Sequence, residues 1–268
     1  TASIKERRGE MVFYFTGTGN SLDIAKQLEV HPVSIPQIIC RPDLDFSADR
    51  IGIVAPVYGH EVPPMVKDFL KKASFHTDYF YMVLTFGKRH GGTAGLAEQL
   101  CEDCGINVSY INVIRMVDNW LPGFDMEEQM QLDKNVEGQL IQILYDVRTC
   151  KKMISEVTEQ DRAAHRQFLD RMSQMPEDAW QHLLQITDLC TGCGICRQVC
   201  PSGSIRVSSG KAVYMPGNCQ TCLACVHACP QKAIRLTVPE KNPGARYRNE
   251  HISLREIIES NSQEEIMQ

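Results

Sequence analysis

The chain's 268 residues and 43% hydrophobic content are enough for more than one core, so two domains are expected. A formal net charge of −5 disfavours nucleic acid as a partner and is compatible with docking to basic surfaces. No run approaches the roughly 18 apolar residues of a membrane span, and no N-terminal basic segment leads into an apolar run and small-residue cleavage site, so a non-membrane-spanning chain in a reducing cytoplasm is expected.

Residues 1–10, with Glu6, Arg7 and Arg8, read as a disordered leader or start-site extension. The first element is the β-prone run Met11-Val12-Phe13-Tyr14-Phe15, which meets Thr16-Gly17-Thr18-Gly19-Asn20-Ser21 and then a helix from Leu22 to Leu28. A glycine-rich loop opening a helix offers backbone N–H groups and the positive dipole end to an anion, and phosphate is the expected guest. Leu22 occupies the third glycine position of the dinucleotide fingerprint, and no Gly-Lys-Ser/Thr follows, so neither that fingerprint nor a P-loop fits. What remains is a cradle of hydroxyls from Thr16, Thr18 and Ser21, with Asn20 able to donate an amide. This loop resembles the FMN phosphate site of flavodoxins, whose motif runs Thr/Ser-x-Thr-Gly-x-Thr/Ser.

A weak second strand over Val33–Ile39 is broken by Pro36 and therefore expected at an edge. Ile51-Gly52-Ile53-Val54-Ala55 and Tyr79–Phe86 are continuous apolar runs of the kind buried in a parallel sheet. They end in Pro56-Val57-Tyr58-Gly59-His60 and in Thr85-Phe86-Gly87-Lys88-Arg89-His90-Gly91. By the flavodoxin resemblance these two loops flank the isoalloxazine ring, with Tyr58 the candidate ring-stacking aromatic and simple packing the alternative. A cation among Lys88, Arg89 and His90 would sit beside the ring or form a basic rim for docking. Val108–Met116 reads as a fifth strand, followed on the ligand side by Asp118-Asn119-Trp120, whose tryptophan either packs between domains or covers the flavin.

Leu132, Val136, Leu140, Ile143 and Val147 make an amphipathic stripe, and Phe168, Leu169 and Met172 mark a second helix ending near Pro176. With no Gly/Ser-rich linker between them, the halves are expected to be docked. Cys101 and Cys104 have redox-motif spacing without a thioredoxin-like setting. Cys40 and Cys150 read as partly buried small hydrophobes.

Eight of the 12 cysteines form two copies of one spacing: Cys190, Cys193, Cys196, Cys200-Pro201 and Cys219, Cys222, Cys225, Cys229-Pro230. Every ligand recurs at one constant offset, as do Ile205 and Ile234, so the segment is an internal duplication. Three successive two-residue gaps would crowd one tetrahedral zinc but suit three corners of a cube. The run resembles bacterial two-cluster ferredoxins over residues 186–237. That resemblance implies two [4Fe–4S] clusters with exchanged fourth ligands: Cys190, Cys193, Cys196 and Cys229 on one, Cys219, Cys222, Cys225 and Cys200 on the other.

Taken together, the chain resembles the EFR1-type fused flavodoxin-like and two-cluster ferredoxin proteins of anaerobic bacteria and archaea. The tail Arg246-Tyr247-Arg248-Asn249-Glu250-His251-Ile252-Ser253-Leu254 matches that group, and Asn119-Trp120 stands where it commonly carries Asn-Tyr. The resemblance implies an α/β fold, a flavodoxin-like doubly wound parallel sheet of order 2-1-3-4-5 with a C-terminal ferredoxin domain. The expected division is a leader over 1–10, an FMN-binding domain over 11–155, a helical connector over 156–185, the cluster domain over 186–237 and a tail with a short helix over 238–268. The implied function is an electron carrier moving single electrons between clusters, FMN and a redox protein or small-molecule partner. An FMN-dependent reductase acting on a small substrate, fed by its own ferredoxin domain, is the alternative.

Overall fold

The computed structural model describes residues 9–176, 178–180 and 182–261. Residues 1–8 of the expected leader and 262–268 of the expected tail lie outside the described residues. The leader's last residue is corrected: β1 spans Glu10–Tyr14, and Glu10 accepts the Tyr81 hydroxyl and pairs with Arg50 at 3.0 Å.

A six-stranded sheet runs in the order β2-β1-β3-β4-β5-β6, with β2 Val33–Ser34, β3 Arg50–Pro56, β4 Tyr79–Phe86, β5 Val108–Arg115 and β6 Met153–Ile154. Every neighbouring pair is parallel. Such a sheet must be covered on both faces, and the unbroken burial of 51–55 and 79–85 meets that requirement. The expected order is observed. The sixth strand was not anticipated, because two residues paired to Tyr110 and Ile111 leave no periodic signal.

The reading of Pro36 is corrected. β2 stops at Ser34, and Ile35–Ile38 forms one helical turn with the proline in its first positions, where a missing N–H is no loss. The covering helices are α1 Asn20–Leu28, α2 Pro64–Lys72, α3 Thr93–Asp103 and α4 Val136–Arg148. Helix α4 begins one turn later than the stripe suggested, since Asn135 sits in the left-handed region at its N-cap. Ile143 and Val147 are buried there while Leu132 lies outside the helix and half-exposed.

The connector helix α5, Glu159–Ser173, is closed by a capping box between Thr158 and Asp161. It buries no residue of its own but lays Phe168 against His60, ring centroids 5.0 Å apart. Trp120 packs against Trp180, ring centroids 6.4 Å apart.

In the cysteine-rich part, β7 Leu184–Ile186 pairs antiparallel with β10 Ile234–Leu236, and β8 Ile205–Ser208 with β9 Lys211–Tyr214. The β8–β9 turn is Ser209-Gly210 with φ 50° and 72°, the double positive φ that a two-residue hairpin needs. The duplication is also visible in the backbone. Gly192, Gly194 and Gly203 have φ of 69°, 82° and 65°, and their counterparts Thr221, Leu223 and Lys232 have 50°, 59° and 49°. The described part of the tail includes α6, Leu254–Asn261.

Candidate functional site

Beyond the carboxyl ends of β1, β3, β4 and β5, where strand order reverses, four segments line one cavity of about 460 Å³, its open mouth included. The first is the Thr16–Ser21 loop, contributing all but Gly19. Its shape is set locally: Gly19, at φ 104°, donates its N–H to Thr16 Oγ1 at 3.1 Å, and Ser21 Oγ shares a hydrogen bond with Thr85 Oγ1 at 2.9 Å. Pro56, Val57 and Tyr58 form the second wall and Thr85, Phe86, Gly87 and Arg89 the third.

The fourth is Val117-Asp118-Asn119; its loop was expected on the ligand side, but its residues were not among the expected flavin contacts. Asn119 Nδ2 donates to Thr18 Oγ1 at 3.0 Å, and burial pushes the Asp118 carboxyl above its ordinary range although it accepts the Trp120 and Lys88 N–H groups.

Five expected residues are displaced from the lining. Gly19 faces Asn249 and Ile252, Gly59 faces Phe168 and Gly91 faces the His60 ring. Lys88 places its ammonium over the Phe124 ring, 5.7 Å from the centroid. His90 stands edge-on to Phe86 and 3.8 Å from Asp161 on α5. Asn20 lines the cavity, with one N–H of its amide given to the Val117 carbonyl at 3.0 Å.

The cysteines surround two further spaces. One is lined by Cys190, Cys193, Cys196 and Cys229, the other by Cys200, Cys219, Cys222 and Cys225. Backbone donors reach the sulfurs in the same register in both halves: Ser204 N–H to Cys200 Sγ and Ala233 N–H to Cys229 Sγ, each 3.2 Å. Ala212 N–H reaches Cys190 Sγ at 3.3 Å. Among the described residues no three His, Cys, Asp or Glu side chains converge to hold a single metal ion. The Tyr214 hydroxyl borders the second space and has the Cys219 thiol within hydrogen-bonding reach, a donor set beside sulfur acceptors, so the residues fit an iron–sulfur cluster. Burial pushes the Cys222 and Cys225 thiols up, and metal ligation must displace their protons.

The two kinds of site touch. A Cβ at Gly17 would stand 2.6 Å from the Cys222 carbonyl oxygen and 2.9 Å from the Tyr58 hydroxyl, so only glycine admits this approach. His227, which lies inside the second cysteine run, is buried. Its Nε2 donates to Asn119 O at 2.9 Å while Nδ1 accepts the Tyr247 N–H at 3.0 Å.

The remaining thiols are ordinary. Burial pushes Cys101 up to about 12 and Cys104 up as well. Cys40 and Cys150 are exposed, which corrects the expectation of partial burial.

Residues 182–230 match the 4Fe-4S dicluster domain family. Over 47 residues the chain is 49% identical to a component of the ion-translocating oxidoreductase complex of Methanosarcina acetivorans, a stretch that is 18% of this chain and 18% of that relative. Among solved structures, the chain is similar to the Trp repressor binding protein from Bacillus subtilis, with a TM-score of 0.33 and 10% identity over 55% of this chain and 99% of the other. It is also similar to an NAD(P)H:quinone oxidoreductase from Methanothermobacter marburgensis, with a TM-score of 0.30 and 11% identity over 55% and 100%. At such scores the fold rests on the strand order itself. The chain is a flavodoxin-like parallel α/β unit followed by a 4Fe-4S dicluster domain.

Proposed function

We propose that this chain is an iron–sulfur flavoprotein electron carrier of the EFR1 type, holding one non-covalent FMN and two [4Fe–4S] clusters and passing single electrons among them and to a redox partner. Cys190, Cys193, Cys196 and Cys229 would hold cluster 1, and Cys200, Cys219, Cys222 and Cys225 cluster 2. The Thr16–Ser21 loop would hold the flavin phosphate, and the Pro56–Tyr58 and Thr85–Arg89 segments would flank the ring. When bound, FMN exchanges two electrons and each cluster one, so their union joins two-electron to one-electron chemistry.

The observation that carries this reading is the close approach at Gly17. It brings the cysteine loop of cluster 2 into contact with the phosphate loop, with the Tyr58 hydroxyl alongside. Three of the cluster 2 cysteines, Cys200, Cys222 and Cys225, are buried, against Cys196 alone in the cluster 1 set, where Cys193 is exposed; in this reading cluster 2 faces the flavin and cluster 1 the partner. Among the described residues no helix is long and apolar enough to cross a membrane.

Anaerobic purification tests the assignment. About eight irons and about one FMN per chain are expected, and zinc in place of iron, or no flavin on denaturation, would refute it. Cys200→Ala should remove the paramagnetic signal of the cluster built on Cys219 and spare the one built on Cys190. The reverse loss would overturn the exchange of ligands. Turnover of a small substrate at the flavin, with no electron delivery to acceptor proteins, would favour the reductase instead.

A further inference from the structure

Among the described residues, no charged side chain lines the space between Cys200, Cys219, Cys222 and Cys225. Three of these cysteines are buried, and burial disfavours the negative charge that one-electron reduction adds to a thiolate-bound cluster. Neutral donors are what remains to stabilise that charge. We propose that Ser202 and Tyr214 are tuning residues that raise the reduction potential of cluster 2 by donating their hydroxyls to its cysteine sulfurs. This role rests on the iron–sulfur reading proposed above.

Ser202 Oγ stands 3.7 Å from Cys200 Sγ and 3.0 Å from Ser204 Oγ. A sulfur that ligates iron is a thiolate with no proton to give, so the Ser202 hydroxyl is the donor. Ser204 favours the same direction. Its buried hydroxyl has Ser202 Oγ as its partner, so it gives its proton to Ser202 and leaves the Ser202 proton for the sulfur, which the Ser204 N–H also reaches at 3.2 Å. Tyr214, held opposite Ile205 by the β8–β9 pairing, has the Cys219 sulfur within hydrogen-bonding reach. The other polar side chains of the lining are engaged elsewhere: Thr221 Oγ1 donates to Gln220 O at 2.8 Å, and Gln220 donates to Asn218 O at 3.0 Å and accepts the Met65 N–H at 2.9 Å.

The duplication supplies an internal comparison. At the positions equivalent to Ser202, Ser204 and Tyr214 stand Gln231, Ala233 and Gln185, none of which carries a hydroxyl, and Gln185 is exposed. Cys190 and Cys229 accept the backbone N–H groups of Ala212 and Ala233. Backbone donors thus serve both clusters, whereas this set of hydroxyls belongs to cluster 2. Reduction increases the negative charge on sulfur, so an O–H dipole aimed at it stabilises the reduced form more than the oxidised one.

Redox titration of the anaerobically purified full chain, followed by electron paramagnetic resonance, tests the proposal. Iron content is measured first: a wild-type chain without clusters refutes the iron–sulfur reading itself, and the role of both hydroxyls falls with it. The step that persists in Cys200→Ala identifies cluster 1. Tyr214→Phe and Ser202→Ala should each shift the one-electron equilibrium of cluster 2 about tenfold toward the oxidised form, a fall of about 59 mV. Cluster 1 should keep its potential, and iron and flavin contents should match wild type. Ser202→Thr, which retains a hydroxyl, should keep the wild-type potential. At full iron content, a cluster 2 potential unmoved in Tyr214→Phe or in Ser202→Ala overturns the role of that hydroxyl. Equal falls at both clusters would mark a general loosening and overturn the proposal. So would a potential in Ser202→Thr as low as in Ser202→Ala, which would assign the effect to packing.

Discussion

Arg89 is the member of the Lys88–His90 trio that lines the proposed flavin cavity, and this narrows an electrostatic expectation to one residue. A unit charge about 4 Å from a developing anion contributes on the order of 4 kcal/mol at an effective dielectric near 20. Arg89 is exposed, so screening leaves a fraction of that. Arg89→Ala should lower the midpoint potential of the bound flavin without loss of FMN, and Lys88→Ala, whose ammonium rests on Phe124, should leave the potential unchanged. Equal potentials in wild type and Arg89→Ala would sink the idea. In the phosphate loop, Thr18→Glu should abolish flavin binding and leave the iron content intact, because a carboxylate opposes the phosphate; flavin retained in stoichiometric amount would contradict the assigned loop. The Thr16–Ser21 cradle was legible in the sequence because strand, turn and helix lie within one short stretch. The role of Asn119 was not, since its partner Thr18 is 101 residues away and no local pattern reports such a contact.

At the scale of elements, the duplicated cysteine run shows how one backbone is kept with different side chains. Where the first half uses glycine at Gly192, the second places a β-branched residue, Thr221, at φ 50°, a conformation that costs roughly 1–2 kcal/mol for an L-residue. Thr221→Gly should therefore stabilise the holoprotein by about 1 kcal/mol once the greater freedom of unfolded glycine is subtracted, read as a higher denaturation midpoint at unchanged cluster content. A lower midpoint would mean that the hydroxyl, bonded to Gln220 O at 2.8 Å, outweighs the strain. Helix α5 supports a second prediction. His60, under this helix, has its pKa lowered by burial and then by His165, Arg89, His90 and Arg171, while Asp161 supplies the nearby negative charge. A depressed histidine is neutral when folded, so its contribution is present above the unfolded value near 6.5 and is lost as pH falls below it toward the folded value. The protection factors of amides in 159–173, which take out the intrinsic slowing of exchange at lower pH, should fall on acidification through that window in wild type and far less in His60→Asn. The helix itself was legible from its apolar positions, but its docking was not, because a helix that buries none of its residues carries no stripe to orient it.

Across the whole molecule, the tail joins what the sequence suggested only as docked halves. Tyr247 donates its hydroxyl to Asn20 Oδ1 at 2.6 Å, and Asn249 gives its N–H to Thr18 O at 2.9 Å. Asn261 bridges Thr16 O and Val199 O at 3.4 and 3.0 Å, tying the phosphate loop to the first cysteine run. His227 is the central link, held neutral because burial lowers its pKa to about 4, with one nitrogen serving the Asn119 loop and the other the tail. His227→Ala would strand the Asn119 carbonyl and the Tyr247 N–H, at about 1–3 kcal/mol for each buried group left unsatisfied. The loss falls on contacts between the units and not within either. In wild type, flavin release and cluster bleaching should therefore occur in one thermal transition. In His227→Ala they should separate, with flavin leaving first, because the Asn119 loop that bonds Thr18 has lost its support. Simultaneous loss of both cofactors at a lower temperature would show instead that the histidine stabilises the cluster domain alone and that the coupling runs through Asn261.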